Sequence, residues 1–293
     1  MKLLRNNSIN LSGVTLILGF FDGVHLGHKT VIDSAVEFAK KNNSQTALLT
    51  FSKSPAEYFS KNTEYIYPRN YNYELISKLG VDYIVETDFI NLVNLSANEY
   101  LKNIVELYSP IGIFTGFNHT FGAMKQGNPE FLQAMQQKYN YKYFCISPIY
   151  INNEVVSSTG IKKLLKNGNV NEAQDLLCRN FSLKSTVIKG NQIGRTLGFP
   201  TANMEYPQNI IKIPYGVYKV ETLNKPAILN WGIKPTLGEN KELLEVHIPN
   251  FNQDLYNKTI TINIIQKLRD EKKFNNLEEL KSQIQKDTKE CLK

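Results

Sequence analysis

The chain has 293 residues, 42% of them hydrophobic and 21% charged, with a formal net charge of +7. That length can bury one large core or two ordinary ones, and the balance is that of a globular protein rather than a disordered or fibrous one. No apolar run reaches the roughly 18 residues of a membrane span.

The N-terminus carries no long apolar stretch or small-residue cleavage site, so no signal peptide is expected. Cys145, Cys178 and Cys291 are odd in number and far apart. They predict neither a disulfide framework nor a zinc site, and they point to a reducing, cytoplasmic setting. The lysines are scattered, without the clustered basic and aromatic surface of a nucleic-acid binder. A basic balance also suits anionic small molecules.

In chain order, 14–18 is a short apolar run leading into a glycine-rich turn, and a helical pattern follows from about His28. Segments 46–51, 81–86 and 111–116 read as further buried strands, with helical patterns at 73–79 and 97–107 between them. Strands alternating with helices predict a parallel α/β sheet that binds ligands at the carboxyl ends of its strands. Ser157-Ser158-Thr159 reads as a helix start with Gly168 as its stop, and a further helix is expected over 170–177. After about residue 182, short β-type segments take over at 185–188, 216–220, 227–229, 243–248 and 259–265. They predict a small β-barrel, closed by an amphipathic helix at 277–284. The expected domains are therefore 1–182 and 183–293.

Two of the four histidines lie in Gly19-Phe20-Phe21-Asp22-Gly23-Val24-His25-Leu26-Gly27-His28, between a strand and a helix. A helix start aims backbone N–H groups and a positive dipole end at an anion. Gly27 lets the backbone approach a phosphate, and imidazoles can donate to charge developing on a transferring phosphate. The segment resembles the nucleotidyltransferase superfamily, whose members attack the α-phosphate of ATP. Three further segments narrow the resemblance to the bacterial bifunctional riboflavin kinase/FMN adenylyltransferases. They are Thr50-Phe51-Ser52-Lys53-Ser54-Pro55-Ala56-Glu57-Tyr58-Phe59, Thr115-Gly116-Phe117-Asn118-His119-Thr120-Phe121-Gly122 and Ser157-Ser158-Thr159-Gly160-Ile161-Lys162. The resemblance implies an ATP site of Gly19, Phe20, Asp22, Gly23, His25, Gly27, His28, Asn118, Ser158, Thr159 and Lys162, with His25 and His28 catalytic. It implies flavin contacts at Phe51, Pro55 and Phe59. Two positions depart from the family pattern. Lys53-Ser54-Pro55 stands where Pro-x-Pro around a His is usual, and Lys162 stands where Arg is usual.

A second motif, Gly190-Asn191-Gln192-Ile193-Gly194-Arg195-Thr196-Leu197-Gly198-Phe199-Pro200-Thr201-Ala202-Asn203, is one residue short of a P-loop and sits in β-rich sequence. It resembles the riboflavin kinase motif of the same family. The resemblance implies ATP contacts at Gly190, Gly194, Arg195, Gly198, Pro200, Thr201 and Asn203, with Thr201 and Asn203 holding Mg²⁺. Oxygen ligands suit that hard cation. Asn230-Trp231-Gly232 and Leu244-Glu245-Val246-His247-Ile248 fit the family too. Glu245 is the implied catalytic base, His247 shares its face, and Glu245 with Arg269 are the implied flavin contacts.

The expected architecture is an N-terminal Rossmann-like nucleotidyltransferase domain and a C-terminal β-barrel kinase domain. The expected activity is riboflavin to FMN, then FMN to FAD, with ATP and Mg²⁺ and with small molecules as the partners. Three alternatives stay open: a member with one activity only, a non-catalytic flavin or nucleotide sensor, and a nucleic-acid binder. The sequence leaves the oligomeric state open.

Overall fold

The computed structural model describes residues 1–5, 11–60, 63–190, 198–236 and 239–292. Packing divides the chain into two compact units, Met1–Gly160 and Ile161–Lys293.

In the first unit the described strands are β1 (Lys2–Arg5), β2 (Thr15–Leu18), β3 (Thr46–Phe51), β4 (Tyr83–Thr87), β5 (Gly112–Gly116) and β6 (Lys142–Ile146), with a short hairpin of β7 (Tyr150–Ile151) and β8 (Glu154–Val155). β1 to β6 form one parallel sheet in the order β1-β4-β3-β2-β5-β6. Every residue of β2 is buried, as expected of a parallel strand covered on both faces. The side chains alternate. Leu16 and Leu18 pack with Tyr100, Leu101, Ile104 and Tyr108 of α4 (Ala97–Tyr108). Ile17 packs on the other face with Val31, Ile32, Ala35 and Val36 of α1 (Leu26–Lys41) and Ile76 of α3 (Arg69–Lys78). From β2 the chain runs outward through β3 and β4, then returns to β5 on the other side of β2. That reversal opens a crevice at the carboxyl ends of β2 and β5.

The predicted strand at 46–51 is found as such, and those at 14–18, 81–86 and 111–116 shift by a residue or two. Sequence reading overlooked β1, β6, α2 (Pro55–Phe59) and α5 (Pro129–Tyr139).

In the second unit, β9 (Ser182–Ile188), β10 (Thr201–Met204), β11 (Gly216–Thr222), β12 (Lys225–Thr236), β13 (Glu239–His247) and β14 (Thr259–Arg269) close a barrel in the order β10-β13-β12-β11-β14-β9. Its pairings are antiparallel. Tyr218, Leu229, Trp231, Leu244, Val246, Ile262 and Ile264 are buried, and Trp231 Nε1 donates to Ile213 O at 3.0 Å. α6 (Ser158–Lys166) and α7 (Val170–Leu177) precede the barrel, and α8 (Leu277–Cys291) follows it. The compositional change at 182 coincides with the start of β9. The packing division falls earlier because α7 already belongs with the barrel, where Gln174 Nε2 donates to Ile264 O at 2.9 Å. α8 is tied down by Cys291, buried against Val217 and Ile228, and by an ion pair between Arg269 and Asp287 at 2.8 Å. No described helix is long and apolar enough to cross a membrane.

Candidate active sites

Between β2 and α1 the backbone is left-handed at Phe21 (φ 59°), Gly23 (φ 82°) and Val24 (φ 43°). For a β-branched residue this is unusual and costs on the order of 1–3 kcal/mol. The turn is held because Phe21 and Val24 are buried in the core. Gly23 N also donates to Asn72 Oδ1, and Asp22 Oδ1 accepts from Ile66 N, both at 3.0 Å. A Cβ on Gly23 would lie 2.7 Å from Ile66 Cδ1, so only glycine fits. Asp22 and Gly23 thus brace the turn from beneath.

The turn delivers His25 as the N-cap of α1, where its Nδ1 accepts the backbone N–H of His28 at 3.3 Å. That bond leaves the proton of a neutral ring on Nε2. The rings of His25 and His28 stack with centroids 3.6 Å apart, and Phe21 meets His28 edge-on at 5.1 Å. A second helix start stands beside the first. Ser157 Oγ accepts from Gly160 N at 3.1 Å, and Ser158 Oγ donates to Asp22 O at 2.9 Å. Neither α1 nor α6 has an acidic residue in its first turn, so both positive ends are available to an anion. They line one cleft of about 340 Å³ together with Gly19, Phe20, Gly27, Phe51, Pro55, Asn118, His119 and Thr159.

Of the predicted first-unit residues, Phe59 lies outside this cleft. It is 73% exposed and packs on Tyr58 and Phe89. Lys162 follows in α6, within the second unit.

Sequence reading missed Arg69. Its guanidinium donates to Phe20 O at 2.9 Å, Phe51 O at 2.8 Å and Thr50 Oγ1 at 2.9 Å, and it lies 4.2 Å over the Phe20 ring. It clamps the carboxyl ends of β2 and β3 where the cleft begins. Sequence reading also missed a second cavity, of about 320 Å³, which shares Gly19, Phe51 and His119 with the cleft. Its walls include Leu49, Leu92, Tyr100, Ile104 and Leu107. Only the apolar spacing of α4 hinted at that wall.

In the barrel, register assembles the second site. Thr201 pairs with His247 and Asn203 with Glu245 across β10 and β13, and Glu245 pairs with Asn230 across β13 and β12. Leu244 and Val246 point inward and are buried, so Glu245 stands on the outer face between two amides. Asn230 Nδ2 donates to Glu245 Oε2 at 3.4 Å, and His247 Nδ1 lies 2.9 Å from Pro200 O. Gly190 makes room for Asn203, since a Cβ there would sit 2.5 Å from Asn203 Nδ2. Pro200 and Thr201 open onto a cavity of about 300 Å³ whose far wall is Phe251, Asp254 and Tyr256. Gly198 leads into β10 with φ 86°, while Gly194 and Arg195 lie outside the described residues. Arg269 is committed elsewhere, its guanidinium bonding Asp287 through Nε and Nη2 and Asp270 O through Nη1. Asn230 was noted as part of a matching segment but not as a site residue.

A FAD synthetase family model matches residues 8–160, and a riboflavin kinase family model matches residues 177–293. The bifunctional riboflavin kinase/FMN adenylyltransferase of Buchnera aphidicola subsp. Schizaphis graminum is 37% identical over 98% of this chain and 96% of its own length. The protein so named in Escherichia coli strain K12 is 30% identical over 98% and 96%. A crystal structure described as a macrolide-efflux protein from Streptococcus pneumoniae superposes with a TM-score of 0.89 at 26% identity, covering 98% of this chain and 97% of that one. The two model matches lie side by side along the chain, and the curated relatives align over nearly all of it, so the chain belongs to the bifunctional riboflavin kinase/FMN adenylyltransferase family of flavin-cofactor enzymes.

Proposed function

We propose that the protein phosphorylates riboflavin to FMN at the barrel and adenylylates FMN to FAD in the first-unit cleft, using ATP in both steps. One observation carries the reading: each family match contains its own built site, and the two differ in chemistry. The barrel offers a carboxylate flanked by amides, suited to taking a proton. The cleft offers two stacked imidazoles at paired helix N-termini, suited to stabilising phosphate charge without a strong base.

At the barrel, Glu245 accepts the proton of the ribityl 5′-hydroxyl as that oxygen bonds to the γ-phosphorus of ATP and ADP leaves. Asn230 holds the carboxylate in place. No group of three or more His, Cys, Asp or Glu that could cage a metal occurs among the described residues. Mg²⁺ fits the site differently, with Thr201 and Asn203 as its protein ligands and phosphates and water completing the shell. Bound there it would neutralise charge on the phosphates. In the cleft, an oxygen of the already ionised FMN phosphate bonds to the α-phosphorus of ATP, and pyrophosphate leaves. His25, His28 and the starts of α1 and α6 hold the charged groups in line. The neighbouring cavity, with its apolar walls, takes the isoalloxazine ring. Residues 1–182 serve the second step and 183–293 the first.

The test is to incubate the protein with riboflavin, ATP and Mg²⁺, and separately with FMN, ATP and Mg²⁺, and to separate the flavins by chromatography. FMN and FAD from the first mixture and FAD from the second are expected. No product in either mixture would contradict the reading.

A further inference from the structure

Gly232 lies inside β12, two residues from Asn230. Glycine weakens a strand, and in a strand interior it marks a bulge, a bend or the close approach of another group. The pairing of β12 with β13 runs through Gly232 without a register shift, and the φ of Gly232 is not positive. Close approach is what remains. A Cβ on Gly232 would collide with Glu271 Oε1 and lie 2.5 Å from Glu271 Cδ. The glycine therefore leaves room for the Glu271 carboxylate to rest on the strand.

That resting place is on the face of the kinase site. Side chains alternate along a strand. Leu229 and Trp231 are buried inside the barrel, so Ile228, Asn230 and Gly232 share the outer face. Asn230 holds Glu245. One same-face step along β12, about 6.5–7 Å, leads from Asn230 to the floor beneath Glu271. The opposite step leads to Ile228, which is buried with Val217 against Cys291 of α8. On the β10 side, Asn203 and Thr201 stand across from Glu245 and His247, where the metal and phosphates belong. A riboflavin whose 5′-hydroxyl meets Glu245 thus has its open course along β12 towards Gly232, and its ribityl chain is long enough to get there. The secondary hydroxyls of that chain are donors, while a carboxylate only accepts. Glu271 is exposed, so a ligand can reach it. Among the described residues its carboxylate has no hydrogen-bond or ion-pair partner. Packing on the strand raises its pKa, because burial penalises the charge, and donated hydrogen bonds offset that penalty.

Resting on the kinase reading above, we infer that the Glu271 carboxylate accepts hydrogen bonds from the secondary hydroxyls of the ribityl chain and selects flavins that carry this polyol. It is a substrate-binding residue, and Gly232 positions it.

The experiment measures initial rates of FMN formation with riboflavin and ATP varied separately, in the wild type, Glu271→Ala, Glu271→Gln, Gly232→Ala and the double variant Gly232→Ala/Glu271→Ala. Riboflavin analogues lacking the 2′- or the 3′-hydroxyl are run beside riboflavin. Glu271→Ala raises KM for riboflavin about tenfold, equivalent to about 1.4 kcal/mol, with kcat within about twofold and KM for ATP unchanged. Glu271→Gln, which keeps one acceptor oxygen, restores part of the affinity. Gly232→Ala raises the same constant by displacing the carboxylate, and the double variant is no worse than Glu271→Ala, because the two changes remove one interaction. The wild type discriminates against at least one of the deoxy analogues, and Glu271→Ala accepts it as well as riboflavin. Conversion of FMN to FAD is unaltered in every variant, which certifies the fold. An unchanged KM for riboflavin in Glu271→Ala would overturn the inference, as would a loss confined to kcat or to KM for ATP. Discrimination against the analogues that survives in Glu271→Ala would also overturn it, by assigning the hydroxyls to other groups. A wild-type protein that forms no FMN from riboflavin would instead remove the kinase reading, and this inference with it.

Discussion

Gly190→Ala probes the kinase site through a single carbon. The new Cβ would sit 2.5 Å from Asn203 Nδ2, 2.6 Å from its Cγ and 3.1 Å from its Oδ1. Ordinary contact begins at 3.4 Å, so the amide must retreat by about 0.9 Å. Asn203 is buried, and its strand is paired with β9 on one side and β13 on the other. The backbone therefore cannot slide away, and the side chain must rotate off its position. A misplacement of about 1 Å at a positioning group costs roughly 10²-fold in rate, and the overpacking itself destabilises by about 1–3 kcal/mol. Initial rates of FMN formation from riboflavin should fall by about that factor. FAD formation from FMN, measured in the same preparation, should be unchanged. A kinase rate within about threefold of wild type, in a folded protein, would show that the placement of the Asn203 amide does not matter to the reaction.

Arg69→Ala strips the donors from Phe20 O, Phe51 O and Thr50 Oγ1, leaving polar atoms unpaired at a cost of about 2–4 kcal/mol. Thermal unfolding should show the loss, and FAD formation should fall while riboflavin phosphorylation persists. Asp287→Ala leaves the Arg269 guanidinium without its carboxylate. It should destabilise the barrel and its closing helix by about 1.5–3 kcal/mol, read from the urea midpoint. His119 gives a pH signature. Its folded value of about 4 lies below the ordinary 6.5, so between those values the unfolded chain binds more protons. Stability from this group is complete above about pH 6.5 and falls as pH drops towards 4, by on the order of 2–3 kcal/mol. The difference between wild type and His119→Phe in urea midpoints across that window isolates the effect, and a constant difference would contradict it.

Contiguous features were legible in the sequence. The turn from Gly19 to His28 carries its glycines, histidines and helix start in one run, and the buried strands announce themselves as short apolar stretches. β1 escaped notice because most of its residues are exposed, so no apolar signal marks it. β12 runs from Lys225 to Thr236, but only its apolar stretch at 227–229 carries a β-type signal in the sequence. Contacts made across the sequence were harder still. Arg69 reaches Phe20 O from 49 residues away, and no motif includes it. Glu245 was legible only through the resemblance, while the amides on either side of it come from the register of three strands. Phe59 was named as a flavin contact by motif position alone, and exposure sets it apart from both cavities.

The central claim is that two separate sites perform two successive steps. It is tested most directly by giving riboflavin or FMN, with ATP and Mg²⁺, to folded Glu245→Ala and His28→Ala proteins. The account predicts that Glu245→Ala forms no FMN from riboflavin yet converts FMN to FAD, and that His28→Ala accumulates FMN without FAD. Loss of both activities in either folded variant would contradict it.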